Sequence, residues 1–238
     1  MSPRASVLKP VLGFWSEERN LSVLLGILIC DYFVLPAMGS LIEHRLAGVF
    51  LQDLTFSLLL LTGVVSLTRY KAIQMIFAII VVFIITARWG RLLFGLTWLV
   101  GWEISLSCVT SVAFGAVVLG HVYREGPMTG HRIQGAIAAY LLFAMAFSLA
   151  HFLVEYIMPG SFQFQGGPLR VDNQSWKIFY YYSITTLTTL GYGDITPVHP
   201  IARILAMVES LVGQLYPAIL IARLVTLHAQ TPRPRKDK

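Results

Sequence analysis

Hydrophobic positions in this chain come in long runs rather than in short alternating stretches. The runs are Leu21–Ile42, Leu46–Thr68, Ala72–Ala87, Leu92–Gly120, Ile133–Ile157 and Ile201–Leu227. A membrane span needs about 20 mostly apolar residues, so each run is long enough, the third by drawing on its flanks. Backbone polar groups in lipid must be satisfied within the segment, which makes these runs helices. Basic residues punctuate them: Arg45, Arg69 with Lys71, Arg88 with Arg91, then Arg124 and Arg132. One stretch breaks the pattern. Between the fifth and sixth runs, Met158–Pro168 is a Gly/Pro-rich loop, and Trp176–Leu190 is apolar and aromatic but too short to cross. Such a segment reads as re-entrant, because irregular backbone at membrane depth is tolerated only where it lines a cavity. Asp172, Asn173 and Ser175 are candidate caps for its helix.

Composition agrees with this pattern. Of 238 residues, 56% are hydrophobic and 13% charged, against about 25% charged in soluble domains. Mean hydropathy is +0.69. A disordered chain, a disulfide scaffold and an ordinary soluble enzyme are excluded. The net charge of +6 reads as basic loops on the cytoplasmic side rather than as a nucleic-acid surface. With the N-terminus inside, twelve of the 18 Lys and Arg residues fall on the inner side, so both termini are predicted cytoplasmic. Cys30 and Cys108 lie inside apolar runs and read as small buried hydrophobes. The first 20 residues read as a retained, partly amphipathic lead-in rather than a signal peptide.

The re-entrant segment ends in Thr186-Leu187-Thr188-Thr189-Leu190-Gly191-Tyr192-Gly193-Asp194, with Pro197 shortly after. Here the chain resembles the pore-loop potassium channels, whose selectivity filter ends Thr-Val-Gly-Tyr-Gly-Asp; Leu190 stands where Val is usual. That filter is the general model of a carbonyl-ring ion site. A potassium ion sheds its water only where other oxygens replace it, and backbone carbonyls do so without a full charge. Two glycines separated by one residue allow left-handed backbone at alternate positions, which turns the carbonyls to one side. Thr189 adds a hydroxyl oxygen at the inner end. The resemblance implies that Thr189, Leu190, Gly191, Tyr192 and Gly193 coordinate K+ as permeant ion, with no other cofactor. It also implies four copies of the chain around one axis.

The surroundings fit the same family. The short helix ends near Thr188 and directs its negative dipole end toward the membrane centre, where it favours a cation. Tyr181 or Tyr182 is expected to hydrogen-bond Asp194 or Tyr192 and brace the filter. Thr185 occupies a position where some members carry Glu. The sixth run resembles the inner helix: Gly213 matches the hinge glycine in spacing, and Pro217 removes a helix hydrogen bond four residues later. The alternative reading of Gly213 is a close-packing position. Gln214 is a candidate cavity residue. Glu209, an intramembrane carboxylate, faces either the cavity or Ser183 or Thr186 of the pore helix. Thr196 would ring the outer mouth.

The first four runs carry no comparable motif. The layout is that of voltage-gated members, yet Leu92–Gly120 contains no Arg or Lys, and steep gating needs about three or four charges per subunit. Weak voltage dependence is expected. Asp31, Asp53 and Glu103 sit inside spans and need partners; Arg88 or Arg91, placed in an outer loop, suits Asp53. His121, His131 and His199 read as solvated.

The expected protein is an all-α membrane protein with six transmembrane helices, and a re-entrant pore helix and filter loop between helices five and six. Residues 1–20 form a cytoplasmic segment, 21–132 a four-helix domain without gating charges, 133–228 the pore domain, and 229–238 a basic tail near anionic lipid, with no regulatory domain expected after it. The expected function is passive potassium conduction by a homotetramer in the cell membrane. A nonselective cation channel and a potassium transporter or transporter subunit are the alternatives. No paired acid/base, nucleophile or metal cluster supports an enzyme.

Overall fold

The computed structural model describes residues 17–39, 45–66, 71–123, 130–169 and 175–229. Helix α1 (Glu17–Ile29) runs through a π-helical turn (Cys30–Val34) into α2 (Leu35–Gly39). Then come α3 (Arg45–Ser66), α4 (Lys71–Phe94), a 3₁₀ turn (Thr97–Leu99), α5 (Val100–Val122) and α6 (Gly130–Ile157). Strands β1 (Phe162–Phe164) and β2 (Gly167–Pro168), helix α7 (Ser175–Leu187), strand β3 (Ile195–Pro197) and helix α8 (Pro200–Ala229) complete the order. Among the described residues, five helical stretches are long and apolar enough to cross a membrane: Gly48–Val65, Gln74–Phe94, Thr97–Val122, Gly130–Ile157 and Pro200–Arg223. The first expected span corresponds to a shorter apolar helix, Leu21–Ala37; its remainder runs into residues 40–44, outside the described residues. The cap candidates Asp172 and Asn173, the N-terminal segment 1–16 and the tail beyond 229 lie outside them too.

Three boundaries differ from expectation. Helix α4 continues seven residues past Ala87, so Arg88 and Arg91 belong to the helix and not to a loop. Arg88 is buried, which is tolerable because Asp53 and Glu103 meet it there. The helix stops at Gly95: its N–H still donates to the Arg91 carbonyl at 3.0 Å, and its φ of 69° turns the following chain out of the helix, a left-handed C-terminal cap. The expected fourth run therefore begins in the last turn of α4. Finally, the chain is not wholly helical. The loop 158–168 holds a hairpin turning on Gln165 and Gly166, with φ of 49° and 80°, the positive pair that a two-residue turn requires. With β3 it forms a three-stranded antiparallel sheet of order β2-β1-β3.

The main core lies between α1, α3, α5 and α6, around Leu24, Leu28, Phe56, Leu60, Phe114, Leu142 and Met145. Buried alanines of α6 (Ala136, Ala138, Ala139, Ala144) bring its backbone close to neighbours, as small residues do in membrane helices. A second cluster, Phe162, Phe179, Tyr182, Ile195 and Ala202, seats the sheet against α7 and α8.

Candidate ion pathway

Helix α7 carries three consecutive tyrosines about 100° apart around its axis, and each meets a different part of the molecule. Tyr180 turns inward, stacking on Tyr32 of the π-turn at 5.1 Å between centroids, with its hydroxyl toward Asp31 and Gln52. Tyr181 turns to the segment after the helix. Its ring stacks on Tyr192 at 6.3 Å and 3°, and its hydroxyl faces the Asp194 carboxylate. Tyr182 is buried edge-on against His151, at 4.9 Å, and Phe162, at 5.4 Å. Of the two expected partners for Asp194 and Tyr192, Tyr181 is the one that reaches them.

After α7 the chain leaves helical geometry in a regular way. The Thr188 N–H donates to the Ile184 carbonyl (3.0 Å), the Thr189 N–H to that of Thr186 (3.0 Å), and the Gly191 N–H to that of Thr185 (3.1 Å). Positive φ falls at alternate residues: Thr189 at 58°, Gly191 at 51° and Gly193 at 77°. Glycine accepts this conformation freely. Thr189 does not: a β-branched residue there costs roughly 1–2 kcal/mol. Strain of this kind concentrates at functional sites. The motif accounted for the two glycines; the extension of the alternation to Thr189 was not expected. Leu190 and Tyr192, the residues between, are 56% and 67% exposed. Asp194 also accepts from the Ile195 N–H at 3.1 Å, and its carbonyl accepts from Gln165 at 2.8 Å, which ties the segment's end to the hairpin.

Thr185 and Thr188 are held by their own helix. The Thr185 hydroxyl donates to the Tyr182 carbonyl (2.9 Å) and that of Thr188 to the Ile184 carbonyl (2.7 Å). The last carbonyls of a helix lack intrahelical partners. Here Tyr140 of α6 donates to the Leu187 carbonyl (3.3 Å) and Ser210 of α8 to that of Thr186 (3.4 Å). Gly213 lies against the same place: a Cβ there would overlap the Leu187 carbonyl. The close-packing role of Gly213 thus has a named partner. Pro217 sits inside α8, which continues through it to Ala229, and Gln214 is exposed.

Glu209 is fully buried and faces α7 rather than a cavity. One carboxyl oxygen lies 2.5 Å from the Ser183 hydroxyl and the other 2.8 Å from His151 Nε2. His151 was not singled out in the sequence, where it is one polar residue in a long apolar run. Its partner lies 58 positions away.

In the other half of the molecule the buried carboxylates find cations. Arg88 Nε lies 2.5 Å from Asp53 and 3.5 Å from Glu103, with its guanidinium over the Phe56 ring at 4.2 Å. Arg91 reaches Glu103 at 3.4 Å. Asp31 accepts from Thr55 at 3.1 Å.

Residues 135–230 match a family model described as ion channel. Over this stretch the chain is similar to ion channels. The match begins in α6 and takes in α7, the segment Thr188–Asp194 and α8, so the similarity and the geometry concern the same elements. Protein LctB of Bacillus caldotenax is 29% identical over 89 residues, covering 36% of this chain and 64% of that protein. No solved structure matches.

Proposed function

We propose that the protein is a potassium-selective channel in which four copies of Thr189–Gly193 surround one axis. The observation that carries this reading is the alternation of left-handed backbone at Thr189, Gly191 and Gly193 within the sequence Thr-Thr-Leu-Gly-Tyr-Gly-Asp. Alternation of this kind directs successive carbonyls to one side, as a ring of ion-coordinating dipoles requires. Thr189, Leu190, Gly191, Tyr192 and Gly193 form the ion sites. Thr188 and Thr185 hold the inner end through the pore helix, and Tyr181 with Asp194 holds the outer end. Tyr182 supports the pore helix from behind.

Four-fold assembly is supported by α8, whose Ile204, Met207, Leu211 and Leu215 are exposed in the single chain. A face this apolar needs neighbouring copies and lipid around it. Gly213 and Pro217 are the places where α8 bends to open or close the inner mouth. In this reading the chain is multi-pass in the cell membrane with both termini cytoplasmic. Residues 21–132 form a four-helix domain that is not steeply voltage-sensing, 133–228 form the pore, and the segments 1–20 and 229–238 lie at the inner surface. Conduction is passive and needs no cofactor.

The test is ion flux from liposomes loaded with potassium and containing the purified protein. Potassium efflux well above sodium efflux is expected, and Gly191→Ala is expected to remove it, because alanine strains the backbone at φ 51°. Equal fluxes of the two ions would overturn selectivity.

A further inference from the structure

The contacts of Glu209 can be counted proton by proton. Ser183 has one hydroxyl hydrogen, yet its oxygen lies within hydrogen-bonding distance of two acceptors. These are the Ala144 carbonyl at 2.7 Å and a Glu209 oxygen at 2.5 Å. Ser183, Glu209 and His151 are all fully buried. If Glu209 were ionised, one of the two contacts would set two acceptors against each other with no hydrogen between them. Moving a proton to His151 does not help. Its Nε2 already faces Glu209 at 2.8 Å, and its Nδ1 has no hydrogen-bond partner, so an imidazolium would add a buried, unmatched N–H. One arrangement leaves no two acceptors opposed and no N–H unmatched, with only the Nδ1 lone pair lacking a partner. Neutral His151 donates from Nε2 to one Glu209 oxygen. The other oxygen carries a proton and donates it to Ser183, and Ser183 donates to the Ala144 carbonyl.

We propose that Glu209 is a neutral carboxylic acid whose proton completes a directed hydrogen-bond chain, His151 to Glu209 to Ser183 to Ala144, clamping the pore helix to both flanking helices. The chain joins three elements: α6 at His151 and Ala144, α8 at Glu209, and α7 at Ser183. Buried polar groups are costly when unmatched and rigidifying when all are satisfied. The other titratable groups whose charge reaches Glu209 are Tyr140 of α6, Tyr182 of α7 and Tyr32 of the π-turn. All three are phenols, uncharged near neutral pH, so none supplies a countercharge that would favour an ionised Glu209. This inference rests on the proposed function for the naming of α7 as pore helix, but the proton count does not depend on which ion permeates.

Infrared spectroscopy of the full chain in lipid vesicles at pH 7 tests it. The wild type is expected to show a carboxylic-acid C=O stretch that Glu209→Gln removes and that Ser183→Ala shifts upward, because the acid loses its acceptor. A Glu209→Gln difference spectrum containing only carboxylate bands would overturn the proposal, as would an unshifted band in Ser183→Ala. Thermal unfolding gives a second readout. Glutamine can both donate to Ser183 and accept from His151, so Glu209→Gln is expected to unfold close to the wild-type temperature and Glu209→Ala well below it. Equal losses would contradict the directed chain. Liposomes that fail to select potassium would overturn the proposed function and leave the infrared result standing.

Discussion

The two halves of this molecule bury polar groups by different means. In the four-helix half, carboxylates and guanidinium groups neutralise one another: Arg88 bridges Asp53 and Glu103, and Arg91 shares Glu103. In the other half, the polar contacts that hold α7 are hydrogen bonds from Tyr140 and Ser210 to its last carbonyls and from Ser183 to Ala144, joined by backbone geometry at Thr189, Gly191 and Gly193. Ion pairs hold helices together but tolerate imprecision in the backbone. A ring of carbonyls does not, because ion recognition depends on where each dipole points. In the proposed channel, charge serves cohesion in one half and backbone direction serves ion recognition in the other.

The contrast is broken most directly at Asp53. Asp53→Asn leaves Arg88 short of a counterion, and breaking a buried pair costs about 3–5 kcal/mol. The expected outcome is a large fall in unfolding temperature or in tetramer yield, with unchanged ion preference in the protein that remains. A changed potassium-to-sodium ratio would show that the four-helix half sets ion recognition too. Gly213→Val is the next largest. Its side chain meets the Leu187 carbonyl, and overpacking costs roughly 1–3 kcal/mol. Here both stability and selective flux are expected to fall together; a selective, stable variant would remove α8 from the support of the pore helix.

Tyr181→Phe keeps the stacking on Tyr192 and removes the hydroxyl that faces Asp194. The expected stability change is about 1 kcal/mol or less, while potassium current is expected to decay faster during sustained conduction, measured in planar bilayers. The smallest effect is at Thr196, exposed on β3 just past Asp194. Thr196→Tyr is expected to strengthen block by external tetraethylammonium by about 0.5–1 kcal/mol, the scale of an exposed cation–π contact. No change would count against four copies of this residue around one mouth.

How much of this was legible in the chain differs between the halves for a physical reason. The segment Thr188–Asp194 is local: its residue types and spacing encode the backbone conformation, so the alternation at Gly191 and Gly193 could be read directly. Thr189 escaped because a β-branched residue is a poor signal for positive φ. The long helices were legible as apolar runs, since burial in lipid needs only length and composition. Asp53 could be named as a partner for Arg88, 35 positions away, but the place of Arg88 inside a helix could not be read, because a charge at the edge of an apolar run looks like loop punctuation. Glu209 stood out as an intramembrane carboxylate, but its choice between cavity and pore helix depended on His151 and Ser183 arriving from two other elements. The sheet escaped because strands of two and three residues are too short to show a period.

The central claim is that backbone direction at Thr189–Gly193 selects potassium. Its most direct test is the reversal potential of the reconstituted protein in a potassium–sodium gradient. The account predicts a reversal potential close to that of potassium, moving with the potassium gradient and little affected by sodium. A reversal potential near zero, with both ions carrying current alike, would contradict it.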